Sequence, residues 1–187
     1  MSSVELIFPH QLFERRGHRQ EKVVHYVVEE VLFFRQYQFH KQKIAFHRAT
    51  MRWYADQLQQ DGCTVEYVPS SDRRSDIRKL IPTLADTGIN HLRFSDPTDN
   101  WLGNRIERAA ANAGIQLTCT ESPLFLNTTE DLRSFFRHGK KKFHQTEFYT
   151  QQRKKRQLLL DDDGRPNGGK SEGWQGKEAE GQEVQSE

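Results

Sequence analysis

Residues 23–69 read VVHYVVEEVLFFRQYQFHKQKIAFHRATMRWYADQLQQDGCTVEYVP, and this stretch decides the fold. It opens with an almost unbroken apolar, β-branched run, Val23 to Val28, the pattern of a strand covered on both faces. The period then changes. From His40 to Gln60, Ile44, Met51, Tyr54, Ala55 and Leu58 share one face at helical spacing, while Lys41, Arg48, Arg52 and Gln59 fall elsewhere. Gly62 supplies a helix stop, and Thr64 to Val68 reads as a strand closed by Pro69. A strand, a long helix and a second strand joined this way predict two parallel strands with a right-handed crossover.

The same alternation extends in both directions. Val4 to Phe8, ended by Pro9, is an earlier strand. Downstream, Ile77, Leu80, Ile81 and Leu84 form a helical apolar face in which Pro82 predicts a kink or a fresh helix start. Ile89 to Phe94 is a fourth strand, broken by Asp96 and Pro97. Asp99 is placed to cap a helix lined by Leu102, Ile106, Ala109 and Ala113. Gly114 stops that helix, and Ile115 to Cys119 is the fifth strand. The prediction is an α/β domain built on a five-stranded parallel sheet flanked by helices.

Beyond Glu121 the alternation ends. A short helix starting among Asn127, Thr128 and Thr129 and running through Phe135 and Phe136 is predicted, then another from Gln145 to Leu159. Asp161 to Gly169 (DDDGRPNGG) is turn-rich and reads as a linker. After Lys170, five Glu against one Lys give an acidic tail of low hydropathy, expected to be disordered. The organisation predicted is an α/β domain over 1–135, a basic, aromatic helical extension over 136–160, and a linker and tail over 161–187.

Composition bounds the function loosely. The net charge of +2 exerts no general pull toward nucleic acid or membrane. Cys63 and Cys119 are isolated, giving neither a disulfide framework nor a zinc motif, and read as small buried residues in a reducing compartment. No apolar run approaches the ~20 residues a membrane span needs, so a cytoplasmic location is the default expectation. No nucleotide-binding glycine loop, nucleophile elbow or zinc-protease motif occurs.

Three constellations carry possible chemistry. His40 and His47 lie two helical turns apart, about 10 Å by helical rise, too far to share a metal, and no metal site is expected. Lys41, Lys43 and Arg48 near a helix start would suit an anion, or equally a solvated basic face. A second basic cluster, Lys140, Lys141 and Lys142 with Arg153, Lys154, Lys155 and Arg156, is interleaved with Phe143, Phe148 and Tyr149. That pattern fits phosphate contact with base stacking, or a helix packed beneath a larger domain. The third is the predicted carboxyl rim of the sheet, where Pro9, His10 and Gln11 leave strand one, Glu29 and Glu30 leave strand two, and Asp96 leaves strand four. Ligands of open α/β sheets bind at this edge. Adjacent carboxylates there are expected to divide between core edge and solvent.

At these motifs the chain resembles the deoxyribodipyrimidine photolyase-related branch of the cryptochrome/photolyase family. The resemblance is carried by PHQLF, by EEVLFFRQYQFHKQKIAFHRATMRWYADQL, by DPTDNWLGNRIERAAANAGI, by ESPLFL and by KKKFHQTEFYTQQRKKRQLLLDDDGRPNGGK, in family order from about residue 3 to Lys170. It implies a doubly wound, Rossmann-like amino-terminal domain and a role in light-dependent DNA repair or photoreception. The FAD of the family sits in a helical second domain, so no cofactor is expected within this stretch. Past the GGK, family members typically continue with a Trp-Ser-Phe-Asp-like segment, where this chain has Ser171, Glu172, Gly173 and Trp174. The expectation is therefore a truncated or frameshifted chain, inactive on its own.

What the first domain does in the family is hold an antenna pigment, such as a lumazine or deazaflavin. The matching positions are His10, Gln11, Glu30, Phe33, Phe34, His40, Lys43 and His47. The chain departs from the lumazine-holding bacterial members, which have an acidic residue and a histidine where Phe33 and Phe39 stand. Two other readings remain open: a free-standing nucleotide or pigment carrier using the same rim, and a DNA-binding fragment acting through Lys140, Lys141, Lys142, Arg153 and Lys154. Phe143, Phe148, Tyr149 and Leu158 to Leu160 would then be left as an apolar patch favouring self-association.

Overall fold

A computed structural model describes residues 2–14, 23–139, 141–142 and 144–164. The predicted linker beyond residue 164, the acidic tail, Lys140 and Phe143 lie outside the described residues. The chain divides into two units, Met1–Thr128 and Thr129–Glu187.

The first unit is a doubly wound α/β domain. Its strands are β1 (Ser3–Ile7), β2 (Val24–Val28), β3 (Thr64–Val68), β4 (His91–Ser95) and β5 (Gln116–Thr120). They form one parallel sheet in the order β3-β2-β1-β4-β5, with Leu6 opposite Tyr26 on one side and Phe94 on the other. The chain winds outward from β1 to β3, returns, and winds outward again from β4 to β5. The order therefore reverses between β1 and β4, and that is where an open α/β sheet forms its crevice.

Helices cover both faces. The 20-residue α2 (Lys41–Gln60) buries Met51, Tyr54, Ala55 and Leu58 against Ile7 and Val27. On the other face α3 (Ile77–Asp86) and α4 (Asn100–Ala113) pack Ile77, Leu80, Ile81, Leu84, Leu102 and Ile106 over Val4, Leu6 and Leu92. Each such side chain taken from water is worth roughly 1.5–3 kcal/mol, so the two apolar stripes fix which helix lies on which face.

The punctuation read from the sequence acts as expected at the helix ends. Asp99 accepts from Leu102 N–H at 2.9 Å, and Gly114 ends α4 in the left-handed region at φ 66°. Gly62, at φ 84°, turns the chain after α2. Pro82 does not begin a new helix: α3 runs through it as one element, and the apolar face on both sides of the proline is buried. A short helix the sequence reading missed, α1 (Val31–Phe34), follows β2 directly and buries Leu32 and Phe34 on opposite faces of the sheet.

The second unit contains α5 (Thr129–Phe135) and α6 (Gln145–Arg156). The latter stops short of the predicted Leu159, because Gln157 takes the left-handed conformation. Phe135, Phe136 and Phe148 form a cluster with ring centroids 4.8–5.1 Å apart.

Candidate functional site at the carboxyl rim of the sheet

Strand one ends in Phe8 and Pro9, and the next two residues bind the exit of β4 across the switch point. His10 Nε2 lies 2.8 Å from Pro97 O, and Gln11 Nε2 donates to Ser95 O and Asp96 O at 2.9 and 3.1 Å. The β4 exit is itself tightly wound: Thr98 has φ 53°, a left-handed conformation that β-branched residues rarely adopt, and its N–H bonds Asp96 at 2.8 Å.

A carbonyl can only accept, so His10 Nε2 carries the proton and Nδ1 is the acceptor in the neutral ring. Burial lowers the His10 pKa, against smaller opposing effects of Pro97 and Asp99, so the neutral form prevails at pH 7. Among the described residues neither His10 Nδ1 nor Gln11 Oε1, both buried, has a hydrogen-bond partner. These are two unsatisfied acceptors on adjacent residues of the switch-point loop. Leaving such atoms unbonded costs about 1–3 kcal/mol each, which a ligand with N–H or O–H donors would recover.

Aromatic rings flank them. The His10 and Phe33 centroids are 4.9 Å apart, and Phe34 lies 6.2 Å from His47. Burial also lowers the His47 pKa, reinforced by the charges of Lys43 and His10. Among the residues singled out from sequence, His10 and Gln11 thus lie at the switch point with Phe33 against the His10 ring, while Phe34, buried in the core on the α2 side, meets His47. Lys43 instead sets its Nζ 4.0 Å above the Phe39 ring. His40 is the N-cap of α2, its Nδ1 accepting from Gln42 N–H at 3.2 Å.

Glu30 belongs to neither group. It is buried on the α3/α4 side, where it accepts from Ile77 N–H at 2.9 Å and lies 3.6 Å from Arg105. Its neighbour Glu29 is buried as well, which corrects the expected division between core edge and solvent. The Glu29 carboxylate receives Arg48 through two bonds of 2.7 Å, Tyr67 OH at 2.6 Å and Ser70 N–H at 2.8 Å. That ion pair also corrects the suggested anion site of Lys41, Lys43 and Arg48, since Arg48 is committed to a carboxylate of the protein. Cys119, expected to be buried, is exposed on the edge strand β5.

Within the second unit, Lys155 and Arg156 both pair with Asp131, and Arg153 donates to Leu159 O. Lys141, Lys142 and Lys154 are exposed. Tyr149, Leu158 and Leu159 are exposed apolar side chains, while Phe148 lies within the aromatic cluster. Among the described residues no group of His, Cys, Asp and Glu could hold a metal ion, and no helix is long and apolar enough to cross a membrane.

A five-stranded, doubly wound parallel sheet whose strand order reverses between β1 and β4 defines the class of this module: a Rossmann-like α/β domain. The family is given by the chain itself. The profile of the deoxyribodipyrimidine photo-lyase-related protein family matches residues 5–172. An uncharacterized protein of Acanthamoeba polyphaga mimivirus is 31% identical over 180 residues, covering 91% of this chain and 90% of the relative. The chain belongs to the deoxyribodipyrimidine photo-lyase-related protein family.

Proposed function

We propose that the α/β domain is an antenna-type module that holds a flat heteroaromatic pigment at the switch-point crevice, in a protein of light-dependent DNA repair or photoreception. The observation that carries the reading is the pair of buried acceptors, His10 Nδ1 and Gln11 Oε1, left unbonded among the described residues beside the Phe33 ring. A fused heterocycle presents ring N–H donors in its own plane and apolar faces above and below it. That matches acceptors at the β1 exit with aromatic rings alongside. Phe33, Phe34 and His47 would supply ring contacts, and His10 and Gln11 would orient the edge.

The chemistry supplied by a bound pigment is light absorption; the residues here bind, orient and exclude water. The flavin chemistry of the family is not assigned to any of them. The second reading is DNA binding through the second unit, where Lys141, Lys142 and Lys154 are exposed, while Lys155 and Arg156 share the Asp131 carboxylate and Arg153 donates to Leu159 O.

The test is the absorption spectrum of the chain as purified, followed by titration with riboflavin and with 6,7-dimethyl-8-ribityllumazine as ring probes. Bound near-ultraviolet or blue absorbance, lost on F33A and on H47A, is the expected result. A colourless protein that binds neither probe overturns the reading.

A further inference from the structure

On the face of the sheet opposite α2, a cleft of about 650 Å³ opens between α3 and α4. Its α4 wall is a single stripe: Trp101, Arg105, Arg108 and Asn112 recur at helical spacing, with Asn104 beside them. Arg78 faces them from α3. Three guanidinium groups therefore line one cleft.

Their charges are unevenly satisfied. Arg78 is held by Asp76 at 2.7 and 2.9 Å. Arg105 lies 3.6 Å from Glu30 and also acts on the Asp76 charge, and among the described residues its buried Nη1 makes no hydrogen bond. Arg108 is exposed and makes no ion pair among the described residues. Two guanidinium groups with donors unused among the described residues thus point to an anion that offers two oxygens on one centre to paired N–H bonds.

Trp101 adds a second requirement. It is 56% exposed at the amino-terminal end of the same stripe, and among the described residues no cation or ring covers its face. By helical rise it lies about 6 Å from Arg105 and about 10 Å from Arg108 along the axis. A stacking surface at one end and guanidinium groups toward the other match the length of a nucleoside monophosphate.

From this arrangement we infer that the α3/α4 cleft is a binding site for a phosphorylated aromatic compound of mononucleotide size, its ring on Trp101 and its phosphate on Arg105 and Arg108. The site is separate from the switch-point crevice, and its occupancy does not depend on a pigment being bound there.

The experiment is calorimetric titration of the full chain with AMP, ribose 5-phosphate, adenosine and a single-stranded oligonucleotide, using R108Q, W101A and, on α2, R52Q. Both Arg108 and Trp101 are exposed, so these variants leave the core intact, and thermal melts check this. AMP is expected to bind saturably and more tightly than either half-molecule. R108Q should weaken AMP and ribose 5-phosphate together by about tenfold, a charge-assisted hydrogen bond being worth about 1.5–3 kcal/mol. W101A should weaken AMP by about tenfold, the scale of ring stacking, and leave ribose 5-phosphate unchanged. R52Q should change nothing. The inference is overturned if AMP does not bind, if it binds no better than ribose 5-phosphate, or if R108Q and W101A bind as the parent does. It is equally overturned if only a single-stranded oligonucleotide binds in a Trp101-dependent manner, since that ligand would be a polymer.

Discussion

One peptide bond separates Glu29 from Glu30, yet the two sides of the sheet treat them in opposite ways. Leaving a strand, consecutive side chains point to opposite faces, so Glu29 turns toward α2 and Glu30 toward α3 and α4. Both side chains are fully buried. Burial alone would raise the Glu29 carboxyl, but Arg48, Tyr67 and Ser70 together draw it down to about 2. Burial raises Glu30 to about 7, with Ile77 N–H and Arg105 opposing too weakly to prevent it and Asp76 adding to the rise. The contrast shows that the same residue, closed off from solvent in both places, is a fixed anion where its acceptors are filled and a titrating acid where it lies deeper and one oxygen is left without a donor.

The largest loss should come from breaking the filled side. R48M removes both guanidinium bonds and leaves a buried carboxylate held only by Tyr67 and Ser70. A loss of about 3 kcal/mol at pH 7 is expected, the low end of the range for uncovering a buried charge, because Arg48 is itself half-exposed. Since the folded Glu29 pKa lies below its ordinary value of 4.5, its stabilisation is present above that pH and fades as pH falls toward 2. Urea unfolding at pH 7 and pH 3 should therefore show the R48M deficit shrinking in acid. A deficit independent of pH would mean that packing, not charge, is what Arg48 provides.

Glu30 should behave with the opposite sign. Below pH 4.5 both folded and unfolded states hold the proton, and nothing is lost. Between 4.5 and about 7 the unfolded chain ionises while the folded one does not, so this residue erodes stability as pH rises, and the penalty is complete above about 7. E30Q mimics the protonated acid and should recover about 3 kcal/mol at pH 8 relative to the parent, with little difference at pH 4. The gap between the two unfolding curves measures this group alone. Parallel curves across that range would show that Glu30 is ionised throughout, its charge satisfied by Arg105.

Much of the fold was legible because it rests on short-range signals: apolar runs, one long helical stripe, and Asp99, Gly62 and Gly114 as punctuation. The strand order was not, since which strands become neighbours is a matter of long-range packing. At the site, His10, Gln11 and Asp96 could be placed on one rim from their positions after strands. The burial of both glutamates escaped because it depends on partners far along the chain, Tyr67 and Ser70 for one and Ile77 and Arg105 for the other. Arg48, off the apolar stripe, reads from sequence as either an anion contact or part of a solvated basic face, but its long side chain reaches back to Glu29 at the β2 exit. The arginine stripe of α4 was overlooked for a related reason: attention to Leu102, Ile106 and Ala109 identifies the buried face and passes over the one that lines the cleft.

The smallest effect concerns how helices begin on the two sides. His40 starts α2 with a ring nitrogen 3.2 Å from Gln42 N–H, whereas Asp99 starts α4 with a carboxylate 2.9 Å from Leu102 N–H. The carboxylate both satisfies an amide and places negative charge at the positive end of the helix dipole. D99A should cost about 1 kcal/mol, and D99N, which keeps the acceptor, less than half of that. The two variants separate a second role. The Asp99 charge also raises the pKa of His10, against the burial that lowers it. Removing the charge by either substitution should let His10 fall further, while only D99A loosens the start of α4. NMR titration of the His10 ring alongside thermal unfolding tests both. If D99N leaves the His10 titration where it was, Asp99 serves the helix alone, and the switch-point crevice is electrostatically independent of the α4 wall.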